Sequence, residues 1–187
     1  MTEVEIAPGK MRCKKRRSGC GAFIADNRGA TAVEFALVAL PFLALIVALI
    51  QTFVVFFAQE FLESVAQQSS RLILTGQVQS QQLKKDDFKN AVCAQAVILF
   101  SCDGLMVDVQ VANAWSAANI SAPTLTFGSD GKVQNTWQFD PGDAGDIVVV
   151  RVMYQWPVVL GPLGFNLSNL SNGNRLIMAS AAFQNEP

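Results

Sequence analysis

The sequence Arg28-Gly29-Ala30-Thr31-Ala32-Val33-Glu34-Phe35-Ala36-Leu37 opens the stretch that decides the fold. An apolar run follows it, and residues 35–58, from Phe35 to Ala58, contain no lysine, arginine, aspartate or glutamate. As an α-helix this run would extend for about 36 Å, enough to cross a bilayer core of about 30 Å with some tilt. Pro41 should kink the helix, which membrane helices tolerate. We therefore predict a transmembrane helix within residues 30–58.

Charge is distributed unevenly on the two sides of this helix. Residues 1–29 carry seven basic and three acidic side chains, whereas residues 59–187 carry seven basic and eleven acidic ones. Because lysine and arginine beside a membrane helix favour the cytoplasm, residues 1–29 are predicted to be a basic cytoplasmic leader. The C-terminal domain is then predicted to lie on the exported side.

The helix is predicted to continue beyond the bilayer. Apolar side chains recur on one face after Ala58, and glycine at position 76 is a plausible C-terminal stop. Residues 59–76 are therefore interpreted as an exported extension of the same helix, which would run from about Thr31 to Thr75. The alternative is two separate helices with a break near Gln59.

Residues 77–187 are predicted to form an exported α+β domain. A polar linker over 77–85 would precede a short helix capped by Asp86 or Asp87, with Phe88, Val92, Ala96 and Leu99 as its apolar stripe. Alternating or strongly β-forming runs predict strands over 105–111, 147–156 and 175–183, a hairpin from 124–127 and 132–139, and a loop over 160–174. The predicted fold is an antiparallel sheet packed against the amphipathic half of the long helix.

The four cysteines fall on both sides of the predicted membrane helix. Cys13 and Cys20 would be cytoplasmic, where disulfides are rare. Cys93 and Cys102 would be exported, where an oxidising compartment favours a disulfide between them. The alternative for this second pair is two buried free thiols.

The composition argues against catalysis and metal binding. The chain has no histidine, which excludes Ser-His-Asp and Cys-His sites and imidazole ligands. The acids at 140, 143 and 146 are predicted to form a tight turn, with calcium binding as the alternative, although their spacing is not that of an EF-hand. We predict no catalytic residue, no metal and no cofactor, and the net charge of −1 suggests no nucleic-acid partner.

The aromatic residues of the C-terminal domain have two readings. Most of the four residues Trp115, Trp137, Tyr154 and Trp156 are predicted to be core or near-core residues. The alternative is a surface patch for partner binding, for which Trp156-Pro157 is the favoured place.

Both ends of the region after the leader resemble one family. Gly29-Ala30-Thr31-Ala32-Val33-Glu34-Phe35 resembles the start of type IV prepilins, closest to their Flp and TadE-like (tight-adherence) branch. The C-terminal Phe183-Gln184-Asn185-Glu186-Pro187 is similar to the end of TadE-like proteins, which usually have arginine where Gln184 stands. The resemblance implies a pilin-like lollipop, cleavage after Gly29 by a membrane-embedded aspartic peptidase, and Ala30 as the new N-terminus. It further implies that Glu34 pairs with the N-terminal amine of a neighbouring subunit.

The function implied by the resemblance is that of a non-catalytic minor pilin or pseudopilin in a tight-adherence pilus assembly and secretion system. The expected partners are the major Flp-type pilin, other minor pseudopilins, the prepilin peptidase, the inner-membrane assembly platform and the lipid bilayer. The expected location is a bacterial inner membrane, with the C-terminal domain periplasmic or extracellular in a pilus. Two alternatives are an uncleaved membrane-anchored scaffold or receptor domain, and an exported enzyme with acids such as Asp108 or Asp146 in a cleft.

Overall fold

The structure is a computed structural model that describes residues 29–129, 131–159 and 164–187. Residues 1–28 of the predicted leader, with Cys13 and Cys20, lie outside the described residues. The same holds for Asp130 of the predicted hairpin turn and for residues 160–163 of the predicted loop.

The described residues form three α-helices and three β-strands. Helix α1 is Ala30–Leu74, α2 is Gln77–Ser80 and α3 is Lys85–Ala96. Short 3₁₀ turns cover Cys102–Gly104 and Trp115–Ala117. The strands are β1 (Leu105–Ala112), β2 (Ile147–Trp156) and β3 (Arg175–Gln184), so the predicted α+β class is confirmed.

Helix α1 is continuous, as predicted, and the alternative of two helices with a break near Gln59 is wrong. The chain divides into two compact units within this helix. The first unit ends at Leu43 and the second begins at Ala44. Each unit is described by itself below. The helix ends where Gly76 adopts a left-handed conformation (φ 68°) and its N–H bonds to the carbonyl of Ile73, as the predicted glycine stop requires.

The three strands form an antiparallel sheet in the order β1-β2-β3. Val107 pairs with Val152, which in turn pairs with Ala179 on β3. Side chains of alternate residues therefore share a face, and the apolar residues at odd positions of β1 lie together with the even valines of β2.

One face of the sheet packs on the helices. The second half of α1 contributes a buried stripe with Ala58, Leu62, Val65 and Ile73, and α3 contributes Phe88, Val92 and Ala96. These spacings of three, four and eight residues are those of one helix face. Burial of each leucine or phenylalanine side chain contributes about 1.5–3 kcal/mol, so this face is the main source of stability of the domain.

The other face of the sheet is covered by the chain between β1 and β2. Here the predicted hairpin is wrong in extent, because only the pair Phe127–Val133 forms an antiparallel bridge. The side chain of Asn135 instead binds the backbone of Thr124 and Thr126, replacing further ladder hydrogen bonds. Phe139 then pairs in parallel with Val109 along the free edge of β1. This segment therefore pairs with the edge of the three-stranded sheet rather than forming an extended hairpin of its own.

Two local predictions before β1 are also corrected. The predicted linker over 77–85 contains α2, because Val78 is buried in the core (1% exposed) and holds the polar segment in place. The N-cap residue of α3 is Lys84 rather than Asp86 or Asp87, but Asp87 does help to cap the helix: its carboxylate accepts a hydrogen bond from the Lys84 N–H at 3.1 Å, as in a capping box. Leu99 lies beyond the end of α3.

Candidate functional site

The first turns of α1 form an exposed apolar surface. The helix begins at Ala30, directly after Gly29. The side chains of Val33, Phe35 and Leu37 are 61%, 74% and 71% exposed. Apolar side chains this exposed are unfavourable in water, so this end of the chain requires lipid or other protein around it.

Glu34 is the acid in this surface. Its side chain is exposed, and no described residue forms an ion pair with it. Ala30 lies four residues earlier, which places the two residues on the same helix face about 6 Å apart along the axis. An amine at position 30 would stand at the positive end of the helix dipole, where a nearby carboxylate compensates its charge. The geometry therefore allows Glu34 to balance a new N-terminus, within one chain or between chains.

The exposed apolar surface continues along the first half of α1. Fifteen large apolar side chains between Val33 and Phe57 are at least 38% exposed, including Leu45, Phe53 and Phe56. Among the described residues, one helix, Thr31–Leu74, is long and apolar enough to cross a membrane, and its most apolar window is only 6% buried. The core helix of a soluble protein would bury such a window, so the helix indicates a single-pass membrane anchor.

The second half of α1 is attached to the C-terminal domain by packing and, at its start, by a polar contact of Gln59. The amide of Gln59 donates to the carbonyl of Met178 on β3 at 2.8 Å and to the Glu63 carboxylate at 2.9 Å. Leu62, one turn later, is fully buried. Gln59 and Leu62 therefore fix the helix to the sheet directly after the predicted end of the membrane segment at Ala58.

The structure joins Cys93 and Cys102 in a disulfide, with their Cα atoms 5.4 Å apart. Cys93 lies in α3 and Cys102 in the 3₁₀ turn just before β1. The bond thus connects the end of a core helix to the start of the sheet.

The acids at 140, 143 and 146 lie in a hydrogen-bonded turn. Asp140 accepts from the N–H of Gly142, and Asp146 accepts from the N–H of Asp143 at 2.9 Å. Among residues 29–129, 131–159 and 164–187, no three acidic or cysteine side chains gather into a group that could hold a metal. The contacts of these carboxylates are those of a structural turn.

The C-terminal motif holds that turn to the rest of the domain. Gln184 donates to the carbonyl of Gly145 at 2.8 Å. Asn185 is 4% exposed and its amide donates to the carbonyls of Pro141 and Asp143. The N–H of Glu186 bonds to the carbonyl of Leu74 at the end of α1. The last residues therefore link β3, the turn and the long helix.

Asp108 and Arg151 form a buried ion pair that the sequence analysis did not predict. They face each other across β1 and β2 and are 1% and 7% exposed. Arg151 Nε lies 3.1 Å from Asp108 Oδ2, and its Nη2 also donates to that oxygen. The remaining Asp108 oxygen accepts from the N–H of Gln138 at 2.7 Å. With the Gln110 amide as a further donor at 2.9 Å, this buried carboxylate accepts four hydrogen bonds and is a structural anchor, not the open acid that an enzyme cleft would need.

The aromatic residues divide between the core and the surface. Trp156 is half-buried and lies 6.0 Å from Phe100, which also stacks near Tyr154 at 4.8 Å between ring centroids. Trp115 is 57% exposed, so the core prediction is wrong for this residue. Its position in an exposed 3₁₀ turn after β1 leaves its ring without a core to enter.

Within the part of the chain that the structure describes, fold and site indicate one membrane-anchor helix followed by a small α+β domain. Comparison with known families agrees with the resemblance seen in the sequence: residues 29–71 match the model of the family described as TadE-like protein. This match covers the anchor helix and its attachment to the domain, and it indicates a protein associated with a tight-adherence pilus. No curated protein and no solved structure matches the chain significantly.

Proposed function

We propose that the chain is a minor pilin or pseudopilin of a tight-adherence pilus assembly and secretion system. Residues 1–29 would be the leader, removed by a prepilin peptidase that cuts between Gly29 and Ala30. Residues 30–58 would anchor the precursor in the bacterial inner membrane, with the leader in the cytoplasm. Residues 59–76 would carry the helix into the exported domain of residues 77–187.

The observation that carries this proposal is the position of Glu34 in the exposed end of α1. The family match begins at Gly29, the residue after which a prepilin would be cut. Cleavage there would create an amine one helical turn before Glu34, on an otherwise apolar surface. In a low-dielectric environment an unpaired amine or carboxylate is costly, whereas the pair is favourable. Each subunit would thus present one acid and one amine through which helices associate.

The rest of the site supports a structural role. The sequence contains no histidine, Asp108 is committed to Arg151, and Asp146 to a turn. The exposed apolar face of α1 would contact lipid before assembly and the helices of the major Flp-type pilin, or of other minor pseudopilins, after it. The inner-membrane assembly platform would transfer the subunit between these two environments, and the pilus would serve secretion and adhesion.

The proposal is tested by replacing Glu34 with glutamine and, as a matched control, Glu60 with glutamine. Both acids lie exposed on α1, but Glu60 lies beyond the predicted membrane segment. Membrane fractions and sheared filaments of cells that produce each variant are probed for the protein. We expect both variants to insert normally and only Glu34→Gln to be lost from filaments.

Equal incorporation of the two variants would contradict the proposed role of Glu34. If the wild-type protein itself stayed in the membrane and never entered filaments, an uncleaved anchored scaffold would be the better account. The control matters because loss of both variants would instead indicate a general sensitivity of α1 to charge removal.

A further inference from the structure

We propose that the C-terminal domain lies in the headgroup layer of the bilayer through an apolar rim, defined as Val97, Ile98 and residues 157–159. On this view the part of α1 that crosses the hydrocarbon core ends near Ile50 rather than at Ala58. The proposal depends on the membrane anchor but not on the pilin role.

The domain reaches α1 well before Ala58. Val55 is only 7% exposed. With Ile50, Gln51 and Val54 it lines one side of a groove of about 250 Å³, and residues 156–159, at the end of β2 and directly after it, line the other side. Ile50 precedes Ala58 by about two turns, so the groove extends roughly 12 Å into the run predicted to lie in lipid.

The length of the helix accommodates this contact. Residues 31–50 alone span about 30 Å as a helix, which equals the thickness of a typical hydrocarbon core. The whole run to Ala58 is about two turns longer than a core requires. Its last turns can therefore lie at headgroup depth, beside the domain that covers them.

The polarity of α1 changes at the same place. Gln51 is the first side-chain amide after Glu34. A polar side chain is costly in hydrocarbon, whereas the headgroup layer is hydrated. A bilayer core that ends near Ile50 places this side chain at headgroup depth.

The rim itself is unusually exposed for an apolar surface. Ile98, Val159 and Val97 are 84%, 73% and 62% exposed, more than any other large apolar residue described outside α1. Rim residues carry no charge. Lipid would remove these side chains from water, which is favourable in proportion to the area covered.

The second part of the rim borders the groove beside residues 50–55 of α1, and the turn that contains the first part packs on α1 through Phe100. Phe100 closes the turn that contains Val97 and Ile98, and its ring lies 6.0 Å from Phe61 on α1 and 6.0 Å from Trp156. Trp156 directly precedes the second part of the rim. Tryptophan is enriched at membrane-water boundaries, where its ring is apolar and its N–H remains hydrated. Because residues 157–159 adjoin the anchor helix and Phe100 links the turn of Val97 and Ile98 to the same helix, the surface proposed to cover the rim is the bilayer in which that helix lies.

Site-directed spin labelling of the full chain tests this placement. Cys13 and Cys20 are replaced by serine, the Cys93–Cys102 disulfide is kept, and one cysteine is introduced per variant for a nitroxide. The chain is reconstituted in phosphatidylcholine nanodiscs, one copy per disc. Collision with oxygen, which concentrates in lipid, is compared with collision with a water-soluble nickel chelate.

The rim positions are Ile98→Cys and Val159→Cys. Matched controls are Leu45→Cys, an exposed position in the membrane segment, and Ile120→Cys, an exposed apolar position in the segment over the other face of the sheet. We expect the oxygen-to-nickel ratio at both rim positions to shift from the Ile120 value towards the Leu45 value. A label at Phe53 should collide with both reagents, as expected at headgroup depth.

Rim labels with the same ratio as Ile120 would overturn the proposal, because the rim would be in water. Rim labels reached by neither reagent would also overturn it, because protein would then cover the rim. A Phe53 label as lipid-like as Leu45 would return the end of the membrane segment to Ala58. A water-like ratio at Leu45 would refute the membrane anchor itself. Failure of the anchor can therefore be distinguished from failure of the rim proposal. Loss of the protein from filaments tests neither the anchor nor the rim.

Discussion

Replacing Arg151 with methionine is expected to destabilise the C-terminal domain by about 3 kcal/mol. Removing one partner of a buried ion pair costs about 3–5 kcal/mol, because the other charge stays buried without compensation. Asp108 is only 1% exposed, but it would keep the N–H of Gln138 and the amide of Gln110 as donors, at 2.7 and 2.9 Å. These two hydrogen bonds place the expected cost at the lower end of the range.

The double variant Asp108→Asn with Arg151→Met is the matched control. It leaves no charge in the site, and asparagine can still accept from the N–H of Gln138. Its cost is expected to be about 1 kcal/mol, the net value of a typical hydrogen bond, and thus smaller than that of Arg151→Met alone. Destabilisation that decreases when a second residue is also changed is the signature of an unpaired buried charge.

Urea unfolding of the full chain in detergent micelles, followed by tryptophan fluorescence, measures both variants. With a slope of about 1–3 kcal/mol per molar urea, the single variant should lower the midpoint by roughly 1–3 M. The reasoning would be refuted if Arg151→Met cost less than about 1 kcal/mol, or if the double variant were as unstable as the single one.

Two further changes test the core of the domain by the same urea assay. Leu62→Ala, at a fully buried position of α1, should destabilise the domain by about 2–5 kcal/mol through lost contacts and a cavity. Leu45→Ala, at a 57% exposed position, should leave the urea midpoint unchanged. Equal effects of the two variants would refute the assignment of the helix face that packs on the sheet. Serine at both Cys93 and Cys102 should cost about 2–3 kcal/mol, because a short loop is no longer closed in the unfolded chain, and an unchanged midpoint under non-reducing conditions would show that the bond does not form.

The main elements of the fold follow from local patterns in the sequence. The apolar run and its amphipathic continuation predict α1 to within a residue at each end. Alternating residues predict β1, the strongly β-forming run of residues 147–156 predicts β2, and β3 extends one residue beyond its predicted range of 175–183. Each of these signals is contained in one segment and reflects which side of that segment must be buried.

What the sequence did not reveal depends on residues far apart in the chain. Asp108 and Arg151 are 43 residues apart, and each alone is typical of a solvated strand position. Asn185 gains its role only when β3 places it beside the turn of residues 141–146. The hairpin was overpredicted because the free edge of β1 offers Phe139 a better partner than its own neighbours do. Tertiary contacts decide these features, and local propensity does not encode them.

The candidate site divides in the same way. Glu34 stands out in the sequence as an acid within an apolar run, and the structure adds that it lies exposed one turn after Ala30. The contact between the end of β2 and residues 50–55 of α1 could not be predicted, because an apolar helix segment looks the same whether lipid or protein covers it.

The central claim is that the chain is cut after Gly29, and the intact mass or N-terminal sequence of the protein recovered from host membranes tests it most directly. The account predicts a chain that begins at Ala30, with a free amine one turn before Glu34. A chain that still begins at Met1, in cells whose prepilin peptidase demonstrably cuts another substrate, would contradict the claim and favour an uncleaved membrane-anchored scaffold.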